Sequence, residues 1–439
     1  MIQFAKENII LFILLHIAFG YLASFSFLST PLAIILILTS ISVVFFSNNK
    51  NEEAFIMSAY IVGIEVFLRM VKGAPLFETG KYITITLLFI GLIVGPPKQK
   101  LTTAFPFYLL LLLLGIVFTT VPEGQSLRKT IAFNLSGPFM LGVCAIYFYK
   151  RKITFSELYS AFLFFLFPVF SMVTFIYFFT PNFEDINFGG ASLGETSGGF
   201  GPNQVTTVLG FGIFIIGVFI AFKWKLTGSR IVDTLILMYF VYRGLLTFSR
   251  GGIITAGIAF VIFFIFIIIY TRDYKNIFKY LIIAAVFMTA IWNYTSSVTG
   301  GQIENRYSGR NASGIQKEDA SSGRFSIIAK QVDGFVESPI FGIGVGNGKY
   351  RRLEQGGKIG TSHNEVTRLI EEHGLIGIFS LLMLIFVPIS HFRKVNYLQK
   401  SLLVTFYFFW FLTINHSAMR IAFPGFIYAL SLINIVNDE

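Results

Sequence analysis

Cysteine and charge are what this chain most lacks. A single cysteine, Cys144, sits inside an apolar run, so one chain can build neither a disulfide framework nor a thiolate metal site. Charged residues make up 13% of the 439 positions, about half the share usual in a soluble domain. No Asp-x-Asp or His-x-x-x-His spacing is present, and the carboxylates outside the apolar runs are scattered, so no metal site is expected. A Ser-His-Asp hydrolase is not supported either. Histidine is scarce, with five in all.

What is abundant is apolar sequence. Hydrophobic residues reach 54% and the mean hydropathy is +0.72. Long apolar runs recur over the whole length, which implies an all-α, polytopic transmembrane helix bundle. Spans are read near 9–28, 32–46, 54–72, 81–96, 101–121, 130–149, 156–180, 203–222, 231–248, 251–271, 279–298, 366–390, 401–415 and 420–436. That gives about 12–14 spans, the first of them retained rather than cleaved. The 53 phenylalanines are lipid-facing or packing bulk.

The net charge of +11 does not indicate nucleic acid, because the basic residues lie in short clusters between spans. With the amino terminus inside, Lys50, Lys98/Lys100, Lys150-Arg151-Lys152, Lys223/Lys225/Arg230, Arg272/Lys275/Lys279 and Arg393/Lys394/Lys400 all fall on the cytoplasmic side. The organisation is then a transmembrane bundle (1–298), one large external loop (299–365) and carboxy-terminal transmembrane helices (366–439). The loop holds nine Lys/Arg against seven Asp/Glu, so individual arginines matter more there than the net field.

Within the loop, Gly300 to Gly323 is polar. From Arg324 to Glu337, Phe325, Ile328, Val332, Phe335 and Val336 recur at near-helical spacing, as in an amphipathic helix lying on the membrane surface or on the bundle. Gly342 to Gly348 reads as a flexible turn rich in backbone N–H groups. The Gly-rich segment Phe183 to Asn203, with Gly189-Gly190, reads as an irregular loop that turns into a helix at Pro202.

Charges in or at the rim of the membrane are costly and point to function. Arg243 and Arg250 would share a face, two turns apart, if their helix continued. Gly251-Gly252 after Arg250 would let a polyanion approach the backbone at a helix start, so arginines plus a helix amino terminus could clamp a diphosphate. Glu65 and Arg69, four apart, read first as an intrahelical ion pair, with ligand binding by Arg69 as the alternative. In the loop, Arg324 is the best candidate, while Arg306, Arg310, Lys349, Arg351 and Arg352 read mainly as solvated charges. Ser362 and Glu365 match a helix capping box. His363, among arginines that would keep it neutral, could act as a general base for a hydroxyl.

Four segments together resemble the O-antigen ligase and O-antigen polymerase family of bacterial surface-polysaccharide assembly. They are Gly201-Pro202-Asn203-Gln204; Thr247-Phe248-Ser249-Arg250-Gly251-Gly252; Ser322-Gly323-Arg324 with Glu337-Ser338-Pro339-Ile340-Phe341-Gly342-Ile343-Gly344-Val345-Gly346; and Thr361-Ser362-His363-Asn364-Glu365 with Glu371-Glu372-His373-Gly374-Leu375-Ile376-Gly377. The likeness covers about 200 to 390. It implies a metal-independent, cofactor-free, inverting glycosyltransferase of the C-type membrane architecture. Such an enzyme takes a glycan from an undecaprenyl-diphosphate carrier to a hydroxyl of another repeat unit (polymerase) or of lipid A core (ligase), at the periplasmic face of the inner membrane. It implies catalytic roles for Arg250, Arg324 and His363. Arg243, Arg69, Asn203, Asn364 and Arg306 are expected to bind substrate. Membrane lipids and a chain-length regulator are the further partners. The competing class is a lipid-linked oligosaccharide flippase, which would place charges near the midplane and show repeat symmetry.

Overall fold

The computed structural model describes residues 1–182, 185–186, 188, 192–317, 319, 323–356 and 362–438. It is almost wholly helical. The first helices are α1 (Ile2–Glu7), α2 (Ile9–Leu22), α3 (Ser26–Ser47), α4 (Glu53–Met70), α5 (Thr79–Val94), α6 (Ala104–Val117) and α7 (Leu127–Phe148). After the short strand β1 (Lys152–Thr154) come α8 (Phe155–Phe179), α9 (Pro202–Phe222), α10 (Arg230–Leu246), α11 (Arg250–Thr271), α12 (Tyr274–Val298) and α13 (Gln302–Tyr307). The chain then forms α14 (Arg324–Glu337), α15 (Gly348–Glu354), α16 (Glu365–Phe392), α17 (Tyr397–His416), α18 (Phe423–Leu430) and strand β2 (Asn434–Val436), which pairs with β1.

Among the described residues, eight helices are long and apolar enough to cross a membrane, and α2, α5 and α6 are shorter apolar helices. The protein is a multi-pass membrane protein. All fourteen expected spans hold a helix, but that of the last is short. Residues 420–436 contain only the eight-residue α18, every residue of which is buried, and then β2. An eight-residue helix is about 12 Å long, too short to cross a bilayer by itself. The first span also ends early, at Leu22, before a turn into α3.

The chain divides into two compact units that interleave in sequence. Unit 1 comprises 1–96, 153–320 and 435–439; unit 2 comprises 97–152 and 321–434.

In unit 1, α8 packs on α2 and α4, and glycines set the closeness of that packing. A Cβ on Gly63 would lie 2.6 Å from the Phe165 carbonyl oxygen, and one on Gly20 would lie 2.4 Å from that of Ser171. The same device joins α9 to α11. A Cβ on Gly252 would lie 2.1 Å from the Thr206 carbonyl oxygen, and one on Gly210 would lie 2.5 Å from that of Gly252. Small residues let helix backbones approach where lipid supplies no hydrophobic drive between helices.

In unit 2, α6, α7, α16, α17 and α18 form the apolar body and α14 packs on α16. Helix α16 is interrupted at Gly374, whose backbone (φ 62°, ψ −139°) leaves the helical region. The Gly342–Gly348 run is not the flexible turn expected from composition. Ile343 and Gly344 donate N–H bonds to the Glu371 and Glu372 carbonyls at 3.0 and 3.1 Å, and Leu375 donates to the Pro339 carbonyl at 2.7 Å. The Val345 N–H reaches Thr119 Oγ1 at 2.9 Å. Gly342, Gly344 and Gly346 all have positive φ, and a Cβ on Gly344 would lie 2.2 Å from the Phe118 carbonyl oxygen. The glycines are a close-packed lock whose N–H groups are largely committed.

Helix α14 forms over Arg324–Glu337 as expected, and of the two placements offered for its apolar stripe it does not take the one on the bundle. Its buried residues are Gln331 and Gly334, while Phe325, Val332 and Val336 are exposed. The apolar stripe therefore does not lie on the bundle; a polar and a small residue make that contact instead.

Candidate functional site

In unit 1 the site candidates gather where α9 and α11 begin. Pro202 starts α9, since its missing N–H is one that a first helical turn leaves unbonded in any case. Asn203 Oδ1 accepts the Ser249 hydroxyl at 2.8 Å, and Ser249 Oγ accepts from Thr206 Oγ1 at 2.9 Å. This chain of bonds, with Gly252 pressed on Thr206, fixes the start of α11, where Arg250 is the first residue. The absence of a side chain at Gly252 is thus used by helix packing, not by an approaching polyanion as its sequence suggested.

Arg306, on α13, donates from Nε to the Phe248 carbonyl at 2.8 Å, just before Arg250. Phe248 itself takes a left-handed backbone, φ 55°. Tyr307 lies beside both arginines. Burial pushes its hydroxyl pKa up to about 12, against the opposing pull of Arg250 and Arg306. Partial burial, with the charges of Arg306 and Arg250, lowers the pKa of Lys317. Arg250, Arg306, Lys317 and Tyr307 therefore form a half-buried cationic group at a helix amino terminus, an arrangement that suits a multiply charged anion.

Arg243 does not join this group. The helix ends at Leu246 and a new one starts at Arg250, so the shared face does not exist. Arg243 is buried, and its Nη2 donates to the Ile176 carbonyl at 3.0 Å and to Thr180 Oγ1 at 2.8 Å. It ties α10 to the end of α8. Arg69 is likewise internal. It pairs with Glu65 at 2.6 Å and lies 3.7 Å from Glu78, which pairs with Lys81 at 2.6 Å. Two cations and two carboxylates neutralise each other there, as the ion-pair reading of Glu65 and Arg69 anticipated.

In unit 2, His363 lies between the ends of α14, α16 and α17. It is half-buried, and burial lowers its pKa from 6.5 to about 4, helped by the charges of Arg324 and Arg420. The imidazole is neutral throughout the physiological range and can accept a proton. Arg324 opens α14. Arg420 donates to the Ser362 carbonyl at 2.9 Å and lies over the Phe133 ring at 4.5 Å, which fixes it beside His363. Buried Gln331 accepts the Thr367 hydroxyl at 2.7 Å and so ties α14 to the first turn of α16.

The capping assignment needs correction. The cap of α16 is Asn364, whose Oδ1 accepts the Thr367 N–H at 3.1 Å; its Nδ2 donates to Asn415 Oδ1, also at 3.1 Å. Ser362 lies two residues too early to cap, and its Oγ accepts the Asn364 N–H instead. Glu365 is the first helical residue. It accepts from Arg368, which also donates to Glu372 at 2.7 Å and to the Asn134 carbonyl at 3.0 Å. Arg352 is not a solvated charge but is buried and paired with Glu371 at 3.2 Å; Arg351 is paired with Glu337.

Sequence reasoning missed Arg420, Lys317, Tyr307 and the Arg368 network. Only the position of Arg420 in an apolar stretch offered a signal. Thr361, Ser322, Gly189 and Gly190 lie outside the described residues. The run Gly190-Ala191-Ser192-Leu193-Gly194 does have Gly-x-Ser-x-Gly spacing, but its described part, from Ser192, leads into a 3₁₀ turn at Glu195–Ser197 and not into the helix that a nucleophile elbow requires. Among the described residues no three His, Cys, Asp or Glu side chains gather as a metal ion would need.

A family model described as O-antigen ligase matches residues 235–382, a stretch that contains Arg243, Arg250, Arg306, Arg324, His363 and Asn364. No curated protein and no solved structure matches the chain. Residues 235–382 of this multi-pass membrane protein thus match the O-antigen ligase family model, which supports an O-antigen ligase and polymerase family assignment.

Proposed function

We propose that the chain is an integral-membrane glycosyltransferase that moves a glycan from an undecaprenyl-diphosphate carrier to an acceptor hydroxyl. We take it to polymerise repeat units of O-antigen or a related surface polysaccharide. The observation that carries the reading is a neutral, half-buried His363 beside Arg324 and Arg420; His363 and Arg324 lie within the family-matched segment, which also holds the cationic group at Arg250.

The chemistry needs two things. The sugar is already activated, because its anomeric carbon bears a diphosphate. The acceptor oxygen attacks that carbon as the carbon–oxygen bond to the diphosphate breaks, so configuration inverts. The hydroxyl proton goes to His363. The leaving lipid diphosphate carries the negative charge away, and arginine is the side chain suited to offset it: Arg324 beside His363 in unit 2 or, as a separate group, Arg250 with Arg306 and Lys317 in unit 1. In this reading the arginines do what a metal does elsewhere. The setting in this reading is the periplasmic face of the bacterial inner membrane, which the positive-inside pattern supports by putting the polar segment on the non-cytoplasmic side. The family match names the ligase, so lipid A core as the acceptor is the second reading.

Arg250→Ala and Arg324→Ala should each lower glycan transfer by at least about 100-fold, the usual cost of removing one charge-stabilising donor, without loss of membrane-inserted protein. Normal polymer from either variant would overturn the assignment. Chromosomal deletion separates the two acceptors: single repeat units on lipid A mean polymerase, and bare core with accumulated carrier-linked polymer means ligase.

A further inference from the structure

The far end of unit 1 carries a cavity. Helix α9 begins beside Arg250 and runs for 21 residues, about 30 Å, to Lys223. Next to that end is an open cavity of about 340 Å³ lined by Phe155, Ser156, Tyr159, Lys223, Trp224, Lys225 and Asp438. This is within the size range of small-ligand sites. Its aromatic wall is packed in place: Trp224 meets Tyr159 edge-on at 5.4 Å and Phe222 at 5.3 Å. The Tyr159 hydroxyl donates to the Lys225 carbonyl at 2.8 Å, which anchors the lysine loop to α8. Lys6 donates to Ser156 Oγ at 3.2 Å and lies over the Tyr159 ring at 5.9 Å. Asp438, the one carboxylate among the described residues lining the cavity, accepts the Ser156 N–H at 3.1 Å at the start of α8. Lys223 and Lys225 are exposed.

We infer that this cavity is a subsite for the headgroup of an anionic phospholipid, in the leaflet opposite the Arg250 group. Two apolar spans, α8 and α9, meet the polar loop here, at the level where headgroups and interfacial aromatic residues lie. Among the described lining residues Lys223 and Lys225 stand against Asp438, and Lys6 adds a third cation beside Ser156 and Tyr159, so a net negative headgroup is favoured over a zwitterionic one. The Trp224, Tyr159 and Phe155 rings offer an apolar floor to the glycerol and upper acyl carbons. Nothing in the proposed transfer chemistry uses these residues.

The test uses the full-length purified protein in detergent, titrated with phosphatidylglycerol or phosphatidylcholine and read by native mass spectrometry. Phosphatidylglycerol should bind in preference. The pair Lys223→Asn and Lys225→Gln should weaken it about tenfold or more, since each lysine near an anionic surface counts for roughly a fivefold factor. Asparagine is chosen because Lys223 has φ +57°. Lys223→Arg with Lys225→Arg should keep the preference, and 10-fold excess inorganic phosphate should not displace the lipid. Equal binding of both lipids, undiminished binding by the neutral pair in protein that elutes as wild type, or displacement by phosphate would each overturn the proposal.

Discussion

Replacing Arg420 with glutamine should move the acid limb of glycan transfer upward in pH. Burial of His363, then the charges of Arg324 and Arg420, takes its pKa from 6.5 to about 4. At about 1.36 kcal/mol per pKa unit, that shift is worth at most about 3 kcal/mol, and less because solvent reaches part of the ring. Arg420 supplies the last-ranked of the three causes. Its removal therefore raises the pKa but leaves it below 6.5. A base must be neutral to work, so kcat/KM of the wild type should be flat from pH 5 to 8 and fall only near pH 4. In Arg420→Gln the fall should begin at higher pH, with the plateau rate less affected than the limb. Stability follows the same group. Above pH 6.5 both folded and unfolded imidazoles are neutral, and His363 contributes nothing to the pH dependence. Between 6.5 and about 4 the unfolded chain takes up a proton that the folded one excludes, so stability falls as pH falls. A pH–rate profile of transfer by the purified protein reads the limb directly. An unchanged limb in Arg420→Gln, or a wild-type limb near pH 6.5, would refute the assigned role of His363.

Two further predictions concern the packing beneath the candidate residues. Gly252→Ala puts a methyl group 2.1 Å from the Thr206 carbonyl oxygen and forces α9 and α11 apart; it should cost about 1–3 kcal/mol and lower transfer, because Arg250 and Asn203 move with their helices. Gly257→Ala, on the same helix with nothing within 4 Å, should leave thermal stability and transfer unchanged, so equal effects of the two would contradict the packing account. Arg368→Met leaves Glu365 and Glu372 buried without their shared cation; the melting temperature should drop as expected for a loss of about 3–5 kcal/mol, and a wild-type melt would show the network to be dispensable.

The bundle was legible because apolar runs and their breaks survive any tertiary detail. Pro202, Arg250 and Arg324 each start the helix that their local sequence announces. Three things were not legible. Residues 420–436 are apolar enough for a span but are buried by α7 and α17. The cap of α16 depends on which of Ser362 and Asn364 has its backbone extended at the junction, and both fit a capping pattern. The Gly342–Gly348 run looks free until Glu371, Glu372 and Phe118 are brought against it. Charges such as Arg368 and Arg420 reveal their partners only after helices pack, since pairs such as Arg420 with Ser362 or Arg368 with Asn134 are far apart in the chain. Arg243 shows the converse: a persuasive spacing lost its meaning when the helix ended at Leu246.

The most direct test of the central claim is transfer by the purified protein alone. Supplied with an undecaprenyl-diphosphate-linked repeat unit in detergent, with no second compartment, wild-type protein should yield glycan lengthened by one or more units, an inverted anomeric linkage and free undecaprenyl diphosphate. His363→Ala should lower that rate by about 100-fold or more. Donor recovered intact, with lipid A core present as an alternative acceptor, would contradict a glycosyltransferase and leave a carrier of lipid-linked glycans as the reading to pursue.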